Sequence, residues 1–80
     1  MHAIFILVKC ELGKAYEVAA EMVDRIEQVS EVYSISGQYD LLVKCYLAKD
    51  QDVGHFVTGT VQQMPHIKDT QTIITFNAFT

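Results

Sequence analysis

Two apolar, β-branched segments separated by a four-residue loop constrain the fold of this chain more than any other feature. The segments are residues 32–36 and 41–47, and the loop between them is Gly37-Gln38-Tyr39-Asp40. Segments of this composition favour strands, and so short a connection predicts an antiparallel hairpin. Gly37 can take a backbone conformation closed to other residues, which leaves its N–H and C=O free for a neighbouring group. Asp40 places a carboxylate at the start of the second strand, where it can pair with an ammonium group.

Helical and strand patterns flank the hairpin on both sides. Residues 3–10 predict a strand, residues 14–29 a helix with apolar side chains at helical spacing, and residues 67–79 a last strand. A second helix begins after Asp50 or Asp52, either of which can cap it, and ends before Pro65. The element order β-α-β-β-α-β predicts an α+β, ferredoxin-like fold. No linker divides the chain, so we expect one domain over residues 1–80.

Composition and charge exclude several classes of protein. The chain has 80 residues with 10 acidic and 6 basic side chains, a net charge of −4, and its basic residues form no cluster. Because phosphate binding requires a clustered basic surface, we expect no direct contact with nucleic acid. No apolar run approaches the ~20 residues of a membrane span. The N-terminal sequence lacks the features of a signal peptide, so we expect a cytoplasmic protein that does not contact a membrane.

The predicted strands are apolar on both faces, which indicates a second buried surface. Residues 3–8 and most of residues 41–47 carry apolar side chains without the polar alternation of a half-exposed strand. Two helices cover only one face of a ferredoxin-like sheet. We therefore expect a homodimer joined sheet to sheet, a dimeric α+β barrel. The alternative is a monomer whose central strands leave one face partly apolar.

Three segments together resemble the C-terminal effector-binding domain of the Lrp/AsnC family, also called the RAM domain. They are the loop Gly37-Gln38-Tyr39-Asp40, the stretch Met64-Pro65-His66-Ile67-Lys68-Asp69-Thr70-Gln71-Thr72, and the joint Val29-Ser30-Glu31-Val32. The resemblance extends over nearly the whole chain, and the Gly-x-x-Asp loop before an apolar strand is its most specific part. It implies sheet-to-sheet dimers that assemble into rings and bind amino acids where dimers meet, near this loop.

The resemblance also implies the site residues, which are Gly37, Gln38, Tyr39, Asp40, Thr70 and Thr72. Asp40 would bind the amino acid's ammonium group, and backbone groups of the loop would bind its carboxylate. Thr70 and Thr72 share one strand face and would add hydroxyl contacts, whereas Gln71 points to the opposite face. The structural alternatives are an ordinary tight turn capped by Asp40 and threonines favoured by strand propensity alone. Neither a cofactor nor catalysis is implied.

One feature departs from the family pattern. Lrp/AsnC regulators carry an N-terminal helix-turn-helix, and this chain starts at Met1, directly before the first predicted strand. We therefore expect a stand-alone module. A regulatory role would then need a DNA-binding family member as partner, or a target other than DNA.

Cysteine and histidine positions give no metal or redox site. Cys10 and Cys45 fall on different predicted strands at positions that should not be opposite each other, so we expect two reduced thiols. The chain has no C-x-x-C motif. His2, His55 and His66 lie far apart without metal-ligand spacing, and we expect no bound metal.

Two other classes of function share this element order. Small dimeric α+β-barrel enzymes, such as monooxygenases and isomerases, need a polar catalytic group between sheet and helices, and the sequence offers only His55 as a candidate. ACT-like modules also bind amino acids, and they favour a glycine-containing turn after the first strand. Leu12-Gly13 matches that turn.

Overall fold

The computed structural model describes all 80 residues, and its element order is β-α-β-β-α-β, as predicted. A four-stranded antiparallel sheet has the strand order β2-β3-β1-β4, and two helices lie on one of its faces. The fold is therefore α+β and ferredoxin-like. The elements are β1 His2–Cys10, α1 Ala15–Arg25, β2 Val29–Ser34, β3 Leu41–Leu47, α2 Val53–Phe56, which continues as a π-helical segment Val57–Val61, and β4 Ile67–Ile74.

The hydrophobic core lies between the sheet and the helices. Alternate residues of the two central strands face it, so that Ile4, Ile6 and Val8 of β1 are 0% exposed. No polar or charged residue is fully buried. The remaining core residues are Cys10, Val18, Met22, Ile26, Leu41, Val43, Cys45, Leu47, Phe56, Val57 and Val61.

Helix α1 ends four residues before its predicted end at Val29. Ile26 has an extended backbone (φ −104°, ψ 105°) and is 4% exposed, while Val29 already pairs with Cys45 of β3. Apolar side chains at these positions fit a helix face or the start of a half-buried strand equally well. Pairing with the backbone of β3 makes Val29 the start of a strand. A local sequence pattern does not reveal such a partner.

Helix α2 begins as the sequence predicts. The Asp52 carboxylate accepts a hydrogen bond of 2.8 Å from the His55 N–H, which identifies Asp52 rather than Asp50 as the cap. The helix then widens into π-helical hydrogen bonding and ends at Val61, before Pro65. Val57 and Val61 take the buried positions of this segment, and Thr60 is exposed.

Strand β4 ends at Ile74, five residues before the predicted end at Phe79. Ile74 pairs with Ile4 of β1, and an antiparallel continuation would run out of β1 residues at Met1. Residues 75–80 are irregular. The Thr- and Phe-rich sequence has strand propensity, but in this register β1 offers no partner beyond residue 77, which lies opposite Met1.

The two thiols are buried and separate. Cys45 lies opposite Ile4 and Cys10 opposite Ile67, so their positions on the sheet differ as predicted, and both are free. Burial raises the pKa of the Cys45 thiol to about 11. Burial also raises the pKa of Cys10, and the nearby Asp40 carboxylate adds to that effect. No helix of the structure has the length and apolar character needed to cross a membrane.

Candidate functional site

The loop between β2 and β3 is closed and anchored by backbone hydrogen bonds. The Ile35 N–H donates to the Asp40 carbonyl at 2.9 Å, and the Asp40 N–H donates to the carbonyl of Val8 on β1 at 2.8 Å. Gly37 has a φ of +106°, a backbone conformation that side chains strongly disfavour. The sequence therefore needs glycine here, and the loop is fixed against the end of the central strand.

The Asp40 carboxylate is tied to its own chain through one oxygen. Its Oδ2 accepts a hydrogen bond of 2.8 Å from the Cys10 N–H, at the bulge where β1 loses its regular pairing with β4. Asp40 is half-buried, and its Oδ1 has no hydrogen-bond partner in the chain. The side chain thus stabilises the strand end and still presents one carboxylate oxygen to an external cation.

Hydrogen-bond donors surround the exposed part of the loop. The backbone N–H groups of residues 36–39 donate to no group in the chain. The ammonium of Lys9 donates to the carbonyl of Gln38 at 3.2 Å, which places a cation beside those amides. Sequence patterns gave no signal for Lys9, since only the bulge in β1 and the path of the loop bring it there. This arrangement of amides and ammonium suits a carboxylate ligand.

Tyr39 links the loop to the edge strand β4. Its hydroxyl donates to the Oε1 of Gln71 at 3.2 Å, and Gln71 lies opposite Leu7, on the sheet face away from the helices. The side chain of Tyr39 therefore crosses β1 on the open face. The sequence favours Thr70 and Thr72 over Gln71 as site residues, yet Gln71 is the β4 residue that contacts the loop.

Thr70 and Thr72 lie on the other side of β4. They pair with Val8 and Ile6, whose side chains face the helices, and both threonines are half-buried. The Thr70 hydroxyl accepts a hydrogen bond of 2.8 Å from the Gln62 side chain, after the second helix. The structure thus brings Gly37, Gln38, Tyr39 and Asp40 together, and it does not bring the threonines to the loop of the same chain.

His66 takes an unusual conformation at the start of β4. Its φ is +70°, rare for a residue with a side chain. Two contacts with Glu11 hold it, a backbone hydrogen bond of 2.8 Å and a contact of 3.0 Å between its Nδ1 and the Glu11 Oε1. This joint fastens β4 to the end of β1 next to the loop. The sequence could not reveal it, because the partners are 55 residues apart.

The open face of the sheet is largely apolar and carries the Lys44–Glu31 charge pair. Its apolar side chains include Phe5, Leu7, Leu42, Tyr46 and Ile73, which strand pairing places on one side. The Lys44 ammonium lies 3.7 Å from a Glu31 oxygen and 5.1 Å from the centre of the Tyr46 ring. The neighbouring Tyr46 side chain and the charge of Glu31 raise the pKa of Lys44, so its cation persists in this face.

Comparisons with known proteins show the family of the chain. A family model described as the Lrp/AsnC ligand binding domain matches residues 3–80. The HTH-type transcriptional regulator FL11 of Pyrococcus abyssi is 34% identical over 70 residues, which cover 88% of this chain and 45% of FL11. The chain therefore spans about half the length of the curated relatives it matches.

Solved structures show the same fold. FFRP-DM1 is 34% identical with a TM-score of 0.87, and the match covers 95% of this chain and 100% of that one. The transcriptional regulator NMB0573 of Neisseria meningitidis, solved as a complex with L-Met, is 21% identical with a TM-score of 0.83, and the match covers 99% of this chain and 52% of that one. That second likeness shows the fold alone. From the family model and the identity to FFRP-DM1 and FL11, the chain belongs to the Lrp/AsnC family and corresponds to its ligand-binding domain.

Proposed function

We propose that this chain is a non-enzymatic regulatory module that binds a small amino acid at the loop of residues 36–40. One observation carries the proposal: unpartnered backbone amides, the Lys9 ammonium and a free oxygen of Asp40 converge on this loop. A free amino acid carries both charges on one carbon. It requires donors for its carboxylate and an acidic oxygen for its ammonium group, and the loop offers both.

The family relationship supports the same class of ligand. The relatives are transcriptional regulators, and the NMB0573 structure contains L-Met. All 80 residues belong to the matched domain or its immediate ends, so any DNA-binding segment would lie outside them. In this proposal the module senses a cytoplasmic amino acid and acts through a family member that reads DNA.

The open face supports a homodimer as the form that functions. Apolar side chains such as Phe5, Leu7 and Leu42 are only half-buried in one copy, and a second sheet would remove them from water. The Lys44–Glu31 pair would then lie inside the interface and restrict which surface can cover it. Thr70 and Thr72 would contact an amino acid only from a neighbouring copy, as in a ring of dimers with ligands between them.

A thermal-shift screen of the amino acids tests the ligand class. A ligand at 100 times its Kd stabilises the native state by about 2.7 kcal/mol, which for a domain of this size raises Tm by more than ~10 °C. For the best amino acid, the matching amine without a carboxylate and the matching acid without an amine should each give much smaller shifts. Equal shifts with either analogue would contradict binding of both charged groups.

Titration calorimetry with Asp40→Asn tests the site itself. The amide keeps an acceptor for the Cys10 N–H and removes only the charge, so affinity for the amino acid should fall roughly 10- to 100-fold. Asp50→Asn is the matched control, because Asp50 is an exposed carboxylate outside the loop. If Asp40→Asn lowers Tm but leaves ligand affinity unchanged, Asp40 is a strand cap and the site assignment is wrong.

A further inference from the structure

His66 holds a backbone conformation in which glycine would be more comfortable than histidine. Its φ of +70° lies in the left-handed region, where a side chain carries a conformational cost. Such a conformation persists only where the surrounding structure holds it. The joint between Pro65 and β4 would accept glycine without that cost, so the contacts of the imidazole are the feature that histidine adds here.

Two contacts clamp His66 to the residue that follows β1. The Glu11 N–H donates to the His66 carbonyl at 2.8 Å, and the imidazole Nδ1 lies 3.0 Å from the Glu11 Oε1. With a protonated imidazole the second contact is an ion pair, whereas with a neutral ring it is only a hydrogen bond to the carboxylate. The clamp therefore weakens as the pH rises through the range in which histidine ordinarily loses its charge, about pH 5–8.

The clamp lies next to the hydrogen bond that fixes the Asp40 carboxylate. Glu11 directly follows Cys10, and His66 directly precedes Ile67, which is the strand partner of Cys10. The Cys10 N–H donates to the Asp40 Oδ2 at 2.8 Å. A bulge interrupts the pairing of β1 with β4 just before this point, so the regular ladder does not hold the end of β1. The position of the Cys10 N–H thus depends on the clamp.

We propose that His66 is a proton-sensitive positioning residue for the Asp40 carboxylate. This role rests on the amino-acid site proposed above and adds its regulation. Protonated His66, paired with Glu11, holds the end of β1 so that the Asp40 Oδ2 stays bonded to Cys10 and its Oδ1 is presented to an ammonium group. Loss of the proton loosens this end, and affinity for the amino acid falls. Because coupling between two bound species is reciprocal, a bound amino acid also favours the protonated imidazole.

The charges around the imidazole leave Glu11 as its partner. The charged groups that line the cleft beside His66 all belong to α1 and are Glu17, Glu21 and Arg25. Arg25 and Lys14 each pair with one of these glutamates, at 2.7 Å and 3.5 Å. Glu11 pairs with no lysine or arginine, only with His66. Burial and the Asp40 charge raise the pKa of Cys10 above 9.0, so that thiol keeps its proton throughout the histidine range.

The expected effect is modest because both partners of the clamp contact solvent. The His66 side chain is 36% exposed and the Glu11 side chain is 56% exposed. An ion pair with this exposure changes an equilibrium by about two- to fivefold. We expect a change of that size both in the opening of the Cys10–Asp40 hydrogen bond and in the affinity for the amino acid.

Amide hydrogen exchange at Cys10 tests the coupling without any ligand. After correction for the pH dependence of unprotected exchange, the wild-type protection factor should fall about two- to fivefold between about pH 5.5 and about pH 7.5. His66→Gly should abolish this change and still fold, because glycine adopts a φ of +70° freely. Glu11→Gln keeps the ring and removes the charge of its partner, so the change should shrink there as well.

His55→Gln is the matched control, because His55 is an exposed histidine on α2. It should leave the pH dependence of the Cys10 amide as in the wild type. A wild-type protection factor that does not change with pH overturns the proposal. A change that survives in both His66→Gly and Glu11→Gln overturns it equally.

Titration calorimetry with the best amino acid of the thermal-shift screen tests the consequence for binding. A free amino acid keeps both charges over this pH range, so the ligand itself does not titrate. The wild-type Kd should rise about two- to fivefold from the lower to the higher pH, and the Kd of His66→Gly should be the same at both. A wild-type Kd independent of pH rejects the regulation, while Asp40→Asn reports separately on the site. If no amino acid binds, the proposed function fails, and the exchange measurement decides whether His66 positions Asp40.

Discussion

The two faces of the sheet differ in how completely this chain covers them. On the helix side, Ile4, Ile6 and Val8 of β1 are 0% exposed. On the open side, Phe5 and Leu7 of the same strand are only half-buried, although they are equally apolar. Adjacent residues of one strand therefore have the same chemistry and different surroundings. The apolar pattern of a strand indicates that both of its faces favour burial. The helices of one chain cover only one of those faces.

The difference between the faces extends to their polar groups. The covered side buries no charged or polar residue, whereas the open side carries the Lys44–Glu31 pair. An uncharged core can pack with many combinations of apolar side chains. A charge pair inside an interface, by contrast, needs specific polar groups around it. The covered face is thus suited to stability, and the open face to the choice of a partner.

The loop of the candidate site contacts residues on both faces of the sheet. Asp40 reaches the backbone of Cys10, whose side chain is buried under the helices, and Tyr39 reaches Gln71 on the open face. A ligand at the loop would therefore contact a residue fixed to the core and a residue at the margin of the open face. If the proposed function and the proposed dimer are correct, this position would connect ligand binding with assembly.

The largest effect is expected from two neighbouring substitutions, one on each face. Ile6→Ala leaves a cavity in the covered face and should lower the free energy of unfolding by about 2–5 kcal/mol. Leu7→Ala should change that free energy less at high dilution, and should raise the dimer dissociation constant at least roughly tenfold. Urea unfolding at several protein concentrations and analytical ultracentrifugation measure the two quantities.

Two results would contradict the expected difference between Ile6→Ala and Leu7→Ala. If Leu7→Ala costs as much stability as Ile6→Ala at every protein concentration, the open face is covered within one chain. If both variants weaken dimerisation equally, the covered face is not independent of the partner.

Much of the fold follows from local patterns in the sequence. The short loop after a β-branched run predicts the hairpin, Asp50 or Asp52 predicts the start of the second helix, and the apolar run of residues 3–10 predicts the first strand. Each of these signals involves residues close in sequence. The structure confirms the elements they predict, in the predicted order.

The predicted element boundaries are wrong where a strand partner far away in the sequence determines the backbone conformation. Val29 leaves the helix because β3 offers it a partner. The last strand cannot pair as far as Phe79, because in the register of β4 with β1 residue 77 already lies opposite Met1. In the candidate site, Lys9, Gln71 and the Glu11–His66 contact depend on the register of β1 with β4. A pattern of residue types does not reveal how two strands are aligned. Sequence analysis therefore predicts the loop, but not the side chains of β1 and β4 that lie around it.

The reactivity of the Cys45 thiol reports how tightly the covered face is closed. Because burial raises the pKa of Cys45 from 9.0 to about 11, its thiolate fraction at pH 8 should fall about 100-fold, and alkylation of the native protein should slow accordingly. The folded pKa lies above the unfolded one, so this group stabilises the fold at lower pH. That contribution is lost as pH rises from about 9 toward 11.

Measurement of alkylation rates and urea melts between pH 8 and 10.5 tests this effect. In Cys45→Ala the decline of stability with pH should become shallower, with Cys10 still present as a second raised thiol. Rapid alkylation of Cys45 in the native protein would show that the covered face opens readily.

A pair of glycine substitutions compares the loop with the helical side. Gly37→Ala forces a side chain into φ +106° and should cost about 1–3 kcal/mol of stability, although no atom lies within 4 Å of the added carbon. Gly59→Ala has the same free space without positive φ, and should stabilise by about 0.5–1 kcal/mol. Thermal melts of both variants measure the difference. Equal effects would indicate that the loop backbone is not held in its observed conformation.

The smallest effect is expected from Tyr39→Phe at the margin of the open face. The substitution removes one exposed hydrogen bond to Gln71 and keeps the ring, so the free energy of unfolding should fall by only about 0.5 kcal/mol. If Tyr39 orders the edge of the dimer interface, the dimer dissociation constant should rise about twofold, the same energy expressed as an equilibrium. Thr70→Val provides the comparison on the covered side, where it removes the hydrogen bond from Gln62 and should leave dimerisation unchanged. An equal change of the dimer dissociation constant in both variants would mean that β4 transmits the effect through its backbone, and that the two faces are less independent than their burial indicates.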